Sequence, residues 1–178
     1  MPKSGHFSVC RTMLQEHRYI DFLLARYDEL NLPYSFAVSL SYLASPLLMG
    51  GTAILCYDGN DEVCGALSYI HGTGEHNYED RDIIQIQVAY LADSSRSTRR
   101  FYEGLRFLTN RLAGQEENIQ EIRFWASGNA RTRRLFCKFA EPVAAAQQPE
   151  GPLDGYRVYM KQLQDYLNKR AHVVCQFE

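Results

Sequence analysis

The chain has 178 residues, of which 46% are apolar, so it is long enough to bury one hydrophobic core and short for two domains. Its net charge of −2 excludes a protein that binds polyanions through overall charge, and its five cysteines, without a C-x-x-C pair, argue against a disulfide framework or a zinc ribbon. No segment approaches the roughly 20 apolar residues of a membrane span, and the N-terminus lacks the apolar run of a signal peptide. We therefore expect a single domain over residues 1–178, soluble, cytoplasmic and without a membrane partner.

Two helices are predicted at the start of the chain. Apolar residues recur at helical spacing in residues 12–30, and Pro33 breaks the pattern. The same spacing returns in residues 36–47, before the pair Gly50-Gly51. We expect one amphipathic helix on each side of Pro33.

A β-hairpin follows these helices. Residues 52–57 and 62–70 have the composition of strands, and Asp58-Gly59-Asn60-Asp61 between them is a turn sequence. Cys56 and Cys64 fall on the two strands and could face each other as a redox pair. Reduced thiols are the alternative, because a disulfide needs a strict geometry.

A central strand and a capped helix come next. Residues 83–91 form a β-rich segment that is long enough to be central in a sheet, and they follow a polar stretch at 71–82. Ser94, Ser95 and Ser97 then offer N-caps for a helix with one apolar stripe.

The second half of the chain predicts shorter elements. In chain order they are a strand at 119–126, a short helix after Asn129, a loop at 141–152, a strand at 156–160, a helix at 161–170 and a weakly extended segment at 172–177. Strand, helix and strand in the middle imply a right-handed crossover between parallel strands. The predicted class is α+β, with a mixed, mostly antiparallel central sheet and helices on both faces.

The join between the central strand and the following helix carries the clearest functional signal. Residues 91–101 bring a strand end directly to a helix start, where unpaired amides and the helix dipole favour an anion. Arginines cluster there and at the next helix start, although cations oppose the dipole at that end: Arg99, Arg100, Arg131, Arg133 and Arg134. This clustering indicates a bound phosphate, and solvated arginines are the alternative.

Residues 91–105 resemble the motif of the GCN5-related N-acetyltransferases (GNAT), in which a strand leads to Arg/Gln-x-x-Gly-x-Gly/Ala and a helix. Arg96 occupies the first motif position. Arg99 and Phe101 stand where the family has two small residues, which let a pyrophosphate approach the backbone. Both side chains must therefore swing away, or the cofactor must sit differently.

A second segment is similar to the same family. Asn129 follows the strand at 119–126, and Phe136 lies seven residues later, where the family has Tyr. In the family the Asn helps to hold the pantetheine arm, and the Tyr commonly protonates the departing thiolate. Phe136 has no proton to give, so this resemblance implies a binding residue but no acid.

The resemblance covers about residues 11–160 and implies acetyl-CoA, or another acyl-CoA, as cosubstrate. The residues that it implies for cofactor binding come from the strand end, the helix start and the second segment: Ala89, Tyr90, Leu91, Arg96, Ser97, Thr98, Arg99, Arg100, Phe101, Asn129 and Phe136. In the family the two central strands splay and admit the thioester. Amides near residues 89–91 would then polarise its carbonyl.

Acyl transfer to an amine also needs a group that takes a proton from the amine. Gln85 stands where some family members carry a glutamate, and an amide cannot take that proton. The base is then water or one of the polar residues of the preceding loop, among which we name Glu79: Glu75, His76, Glu79 and Asp80. Tyr90 could present its hydroxyl near the thioester, although packing is the alternative for a strand tyrosine. We predict no metal, because no recognised ligand spacing is present.

The leading hypothesis is an N-acyltransferase in which a substrate amine attacks the thioester directly. The acidic loops would favour a cationic acceptor. The alternative is a catalytically inactive domain of GNAT fold that binds a ligand, nucleic acid or a protein, and it is favoured by the missing glycines and by Phe136. The net charge does not favour nucleic acid, and exposed tyrosines could support a homodimer.

Overall fold

The computed structural model describes the backbone of residues 5–149 and 151–174 and the side chains of residues 5–149 and 151–170. The chain divides into two compact units. The first unit consists of Met1–Ile70 and Ile86–Arg100, and the second consists of His71–Gln85 and Phe101–Glu178. A single domain over the whole chain stays a prediction.

The first unit contains three strands, three helices and most of a fourth strand. The strands are β1 (His6–Val9), β2 (Thr52–Tyr57) and β3 (Val63–His71), followed by β4 (Ile83–Leu91), whose first three residues belong to the second unit. The helices are α1 (Met13–Leu24), α2 (Tyr27–Leu30) and α3 (Phe36–Leu48).

The second unit contains most of α4 (Thr98–Ala113), which starts in the first unit, and the remaining elements. These are β5 (Glu121–Ser127), α5 (Ala130–Phe136), β6 (Glu141–Gln148), β7 (Gly151–Tyr159) and α6 (Met160–Val174). Short 3-10 turns precede β4 at Gly74–His76 and α4 at Asp93–Ser95.

The strands run in the order β1-β2-β3-β4-β5-β7-β6. β4 and β5 pair in parallel, and their ladder joins residues 83–85 to residues 121–123. The pairs β1–β2, β2–β3, β5–β7 and β7–β6 are antiparallel. The predicted α+β class with a mixed, mostly antiparallel sheet is confirmed.

The core of the first unit explains why α1 and α3 form where the apolar spacing predicts them. Both helices bury one apolar stripe, and the buried cluster consists of Tyr19, Phe22, Leu23, Leu43, Ala53, Leu55, Tyr57, Ala66, Val88 and Tyr90. The hydroxyl of Tyr19 donates to Oγ of Ser68 over 2.8 Å, so the polar end of this fully buried ring is satisfied.

The predicted loop at 141–152 is wrong, because β6 and the start of β7 form a hairpin there. Alanine and glutamine have low strand propensity, and tertiary pairing with β7 overrides it. Pro142 is tolerated because it stands at a register shift near the start of β6. The strand predicted at 156–160 is the C-terminal half of β7.

Three further boundaries differ from the sequence-based expectation. Strand β1 was not predicted, since four residues are too short to show a period. The helix predicted over residues 12–30 is two helices: Thr12 caps α1, which ends at Leu24, and α2 is separate. The extended segment predicted at 172–177 is also wrong where it is described, because α6 continues to Val174, and the rest lies outside the described residues.

Among the residues that the structure describes, no helix has both the length and the apolar composition needed to cross a membrane.

Candidate functional site

The start of α4 is a capped helix N-terminus that follows the strand β4. Oγ of Ser97 accepts a hydrogen bond from the amide of Arg100 over 3.1 Å, which satisfies one of the amides that a helix start leaves without a partner. Thr98 and Arg99 are exposed in the first turn, and Ser94 and Ser95 lie in the preceding 3-10 turn. Of the three predicted caps, Ser97 is therefore the one that caps α4.

Arg96 holds the loop between β4 and α4 closed. Its Nε and Nη2 atoms donate to the carbonyl oxygen of Leu91 over 3.1 and 3.0 Å, and Nη1 lies 3.0 Å from Oδ1 of Asp93. The guanidinium also lies 5.7 Å from the centroid of the Tyr90 ring. Arg96 therefore shapes this loop by binding the loop's own oxygen atoms.

Arg100 lies against the N-terminal segment of the chain. A Cβ atom placed on Gly5 would be 2.3 Å from the carbonyl oxygen of Tyr57 and 2.5 Å from Nη2 of Arg100, so the guanidinium lies close to the backbone of residue 5. Arg100 is half-buried, whereas Arg99 on the same turn is exposed. The two arginines thus differ in their access to solvent and to a ligand.

The end of β4 contains the three residues predicted to contact the thioester. Ala89 is exposed, Leu91 is half-buried and Tyr90 is buried among the apolar residues of the first unit. The hydroxyl of Tyr90 donates to Oε2 of Glu29 on α2. Burial, this hydrogen bond and the nearby Glu29 charge raise the pKa of Tyr90, although Arg96 and Arg26 lower it. The tyrosine stays protonated at neutral pH and serves as a donor.

Glu29 is the residue that the sequence-based prediction missed. Its side chain is exposed on a four-residue helix, 61 residues before the tyrosine that it binds. Neither apolar spacing nor a motif links such positions. The contact between Glu29 and Tyr90 follows only from the packing of α2 near the end of β4.

Asn129 and Phe136 lie on α5 in the second unit. Oδ1 of Asn129 accepts from the amide of Thr132 over 2.9 Å, so this side chain caps the helix. Phe136 lies in an aromatic cluster, with ring centroids 4.8 to 6.1 Å from those of Phe101, Phe124, Phe139 and Tyr156. Phe101, the other departure from the family pattern, thus packs in this half-buried aromatic cluster.

Two of the three arginines of α5 do not oppose the helix dipole in the way that the sequence suggests. The helix has seven residues, so Arg133 and Arg134 fall in its last turn, where a cation is favourable. Nε and Nη2 of Arg133 donate to the two carboxylate oxygens of Asp154 over 2.6 and 3.0 Å. This bidentate pair lowers the pKa of Asp154, and the protein itself supplies the anion.

The polar loop at residues 71–82 is organised around Asp80. Its carboxylate accepts from the amide and hydroxyl of Thr73 over 2.7 and 2.6 Å, and Nδ1 of His76 lies 3.3 Å away. Burial alone would raise the pKa of Asp80, but these hydrogen bonds and His76 lower it. Glu79, the predicted base, is exposed beside this network. Within the described ranges, no group of three or more metal-binding side chains occurs.

The fold is that of the GCN5-related N-acetyltransferases: solved GNAT structures match nearly the whole chain. No family model matches the sequence, and no curated protein matches it either. The structural similarity therefore shows the fold alone.

Three solved structures illustrate this similarity. The aminoglycoside acetyltransferase AAC(6')-Ib, in complex with paromomycin and acetyl-CoA, is 18% identical, with a TM-score of 0.62 over 91% of this chain and 97% of that one. An aminoglycoside N(6')-acetyltransferase from Legionella pneumophila is 12% identical, with a TM-score of 0.60 over 93% and 97%. A GNAT-family acetyltransferase from Staphylococcus aureus is 14% identical, with a TM-score of 0.58 over 87% and 99%.

Proposed function

We propose that this protein binds acetyl-CoA, or another acyl-CoA, and transfers the acyl group to an amine. The observation that carries the proposal is the start of α4, a capped helix N-terminus that follows β4 after the loop at residues 92–97, in a chain with the GNAT fold. Asn129, Phe136 and Phe101, implied by the resemblance, stay predicted cofactor residues.

A helix start of this kind suits the pyrophosphate of coenzyme A. The 16 residues of α4 align their peptide dipoles, which places roughly half a positive charge at the N-terminus. The side chain of Ser97 accepts a hydrogen bond from one backbone amide of the first turn. Other amides of the helix start are donors for a phosphate. Exposed Arg99 adds a positive charge to the same turn.

The acyl end of the cofactor would lie along the end of β4. Amides of Ala89, Tyr90 and Leu91 are the groups that the resemblance assigns to the pantetheine arm and the thioester carbonyl. A similar fold in AAC(6')-Ib binds acetyl-CoA, which supports this class of ligand.

The carboxylate of Glu29 is suited to hold the ammonium form of the acceptor. It is exposed, and the hydroxyl of Tyr90 on β4 fixes one of its oxygens. In the reaction, the amine first loses a proton and its nitrogen then bonds to the thioester carbon. The C–S bond breaks with its electrons going to sulfur, and the thiolate takes the second proton. Glu79 and Tyr90 stay candidates for assisting these steps.

Calorimetric titration with acetyl-CoA tests the cofactor site. We expect saturable one-site binding, weaker for coenzyme A without its 3′-phosphate. In the double variant Arg99→Ala, Arg100→Ala, the Kd should rise about tenfold, because two positive charges next to the proposed phosphate position are lost. The matched control is Arg131→Ala, Arg134→Ala at α5, where both side chains are exposed and no change is expected. Absence of binding at millimolar acetyl-CoA would favour the alternative, a catalytically inactive domain.

Coenzyme A release with paromomycin or spermidine as acceptor tests Glu29. We expect Glu29→Gln to raise the acceptor KM about threefold with a smaller change in kcat, because an exposed ion pair with the bound ammonium group is lost before the chemical step. The neighbouring exposed carboxylate provides the control, and Asp28→Asn should leave both constants unchanged. Equal effects of the two variants would mean that Glu29 has no special role.

Cytoplasmic location and a homodimer also stay predictions.

A further inference from the structure

A β-bulge brings two buried thiols together in the first unit. Cys56 on β2 pairs with Gly65 on β3, and the next pair is Tyr57 with Val63, so Cys64 is the extra residue of the bulge. A bulge re-aims the side chain that it carries. The thiol of Cys64 donates to Sγ of Cys56, and the two sulfur atoms lie 3.5 Å apart.

The surroundings keep this pair in place. Cys56 and Cys64 are 1% and 5% exposed, so both thiols are enclosed. A Cβ atom on Gly65 would lie 3.2 Å from Cβ of Cys56 and 2.8 Å from the carbonyl oxygen of Tyr90. A larger residue at position 65 would therefore push against Cys56 and against β4.

We propose that Cys56 and Cys64 form a reversible disulfide when a small-molecule disulfide is the oxidant. The thiolate of one cysteine attacks a sulfur of glutathione disulfide and releases glutathione, which takes a proton. The second thiolate then displaces the other glutathione from the mixed disulfide. Two protein thiols become one disulfide, and one glutathione disulfide becomes two glutathione molecules. The sulfur atoms must approach by about 1.5 Å to reach bonding distance.

The other described cysteines differ from this pair in their surroundings: Cys10 is half-buried and Cys137 is exposed. Burial and the nearby charge of Glu16 raise the pKa of Cys10 to about 11, which leaves little thiolate at neutral pH. Cys137 is exposed and lies in the second unit. Cys137 can form a mixed disulfide and so reports whether the oxidant was active.

The bulge is bonded to the loop that carries the proposed cofactor site. The carbonyl oxygen of Cys64 accepts from the amide of Ala92 over 2.8 Å, and Cδ2 of Leu91 lies 2.6 Å from the position of a Cβ atom on Gly65. Formation of the disulfide moves the two sulfur atoms closer together. This movement displaces the backbone of the bulge and, through the hydrogen bond to Ala92, the start of the loop at residues 91–97. Oxidation therefore regulates acyl-CoA binding, an extension that rests on the proposed function.

Peptide mapping tests the disulfide itself. The protein is equilibrated in glutathione buffers of rising oxidised fraction, both folded and during refolding from urea, because enclosed thiols react slowly when folded. Free thiols are alkylated, and the chain is cut at Asp58, Asp61 or Glu62, which separate the two cysteines in sequence. Trypsin would not separate them, since residues 27–80 contain no Lys or Arg.

We expect a cross-linked pair of peptides that has lost two hydrogens, and its absence in Cys64→Ser. The proposal is overturned if Cys56 and Cys64 are both alkylated after refolding in a buffer that has modified Cys137. Cys10→Ser serves as the matched control and should leave the cross-link unchanged.

Two measurements on the oxidised protein test the link to the loop. Hydrogen exchange at Ala92 should change on oxidation, and the acetyl-CoA Kd should change about fivefold or more, the usual range for coupled sites. An oxidised protein with unchanged exchange and unchanged Kd overturns the link. If acetyl-CoA does not bind in either state, the proposed function fails, and the mapping and exchange results still decide the disulfide and its link to the loop.

Discussion

The starts of α4 and α5 look alike in sequence and differ in structure. Each has a polar cap, Ser97 or Asn129, and each is followed by arginines. The 16 residues of α4 include a buried face at Leu108 and Leu112, whereas α5 has seven residues and none is buried. Fully buried side chains hold α4, whereas the half-buried ring of Phe136 and polar contacts hold α5.

This difference shows what an arginine cluster at a helix start means. Arg133 pairs with Asp154 inside the second unit, so its charge needs no external anion. At α4 the exposed Arg99 stands on the first turn of a long helix, where dipole and side chain have the same sign. At α5 the same pattern contains an internal ion pair, and at α4 the bound phosphate stays a proposal.

The largest expected effect is on the free energy of unfolding, which a substitution in α4 should lower more than a substitution in α5. Leu108→Ala should lower the free energy of unfolding by about 2–5 kcal/mol, because it leaves a cavity under α4. Leu135→Ala on half-buried α5 should cost less than half as much. Urea unfolding followed by circular dichroism measures both, and equal costs would contradict the contrast.

The two caps should have similar and smaller effects on stability. Ser97→Ala and Asn129→Ala each remove a side-chain acceptor from a helix amide, at a cost of about 1 kcal/mol. Both are measured by thermal and urea unfolding. The acetyl-CoA titration then sharpens the comparison, because Ser97→Ala should also raise the Kd. Arg131→Ala, beside the cap of α5, should change neither quantity.

The smallest expected effect is a pH dependence at α5. The pKa of Asp154 in the folded protein lies below its ordinary value, because Arg133 binds the carboxylate form. Its stabilisation is therefore fully present above the unfolded pKa, about 3.9, and is lost as the pH falls through the lower folded pKa. Solvent around half-exposed Arg133 screens the pair and keeps the effect modest.

Comparison of the wild type with Asp154→Asn checks this sign. The difference in unfolding free energy should be largest near neutral pH and should shrink on acidification. A difference that is constant between neutral pH and pH below 4 would show that charge is not its source.

Much of the fold could be predicted from local patterns. β4 at Ile83–Leu91, β2 at Thr52–Tyr57 and the start of α3 at Phe36 agree with the sequence-based boundaries, because each has a clear apolar period and flanking turn residues. The hairpin of β6 and β7 could not be predicted, because alanines and glutamines gain strand structure only through their neighbour.

Only those features of the candidate site that depend on residues adjacent in sequence could be predicted. Ser97 as a cap and the strand-to-helix join follow from adjacent residues. The role of Arg96 inside its own loop, and the burial of Tyr90 with its bond to Glu29, depend on contacts that no spacing rule contains.

The sequence by itself determined the order of most helices and strands, the strand-to-helix join and the Ser97 cap, because apolar periods and caps depend on neighbours along the chain. Only the tertiary structure decided which charges are neutralised and which thiols meet. Arg133 reaches Asp154 across 21 residues, and Cys64 reaches Cys56 because a bulge changes the strand register by one residue. Such contacts depend on how strands pair, and one residue of register moves a side chain from one face of a sheet to the other.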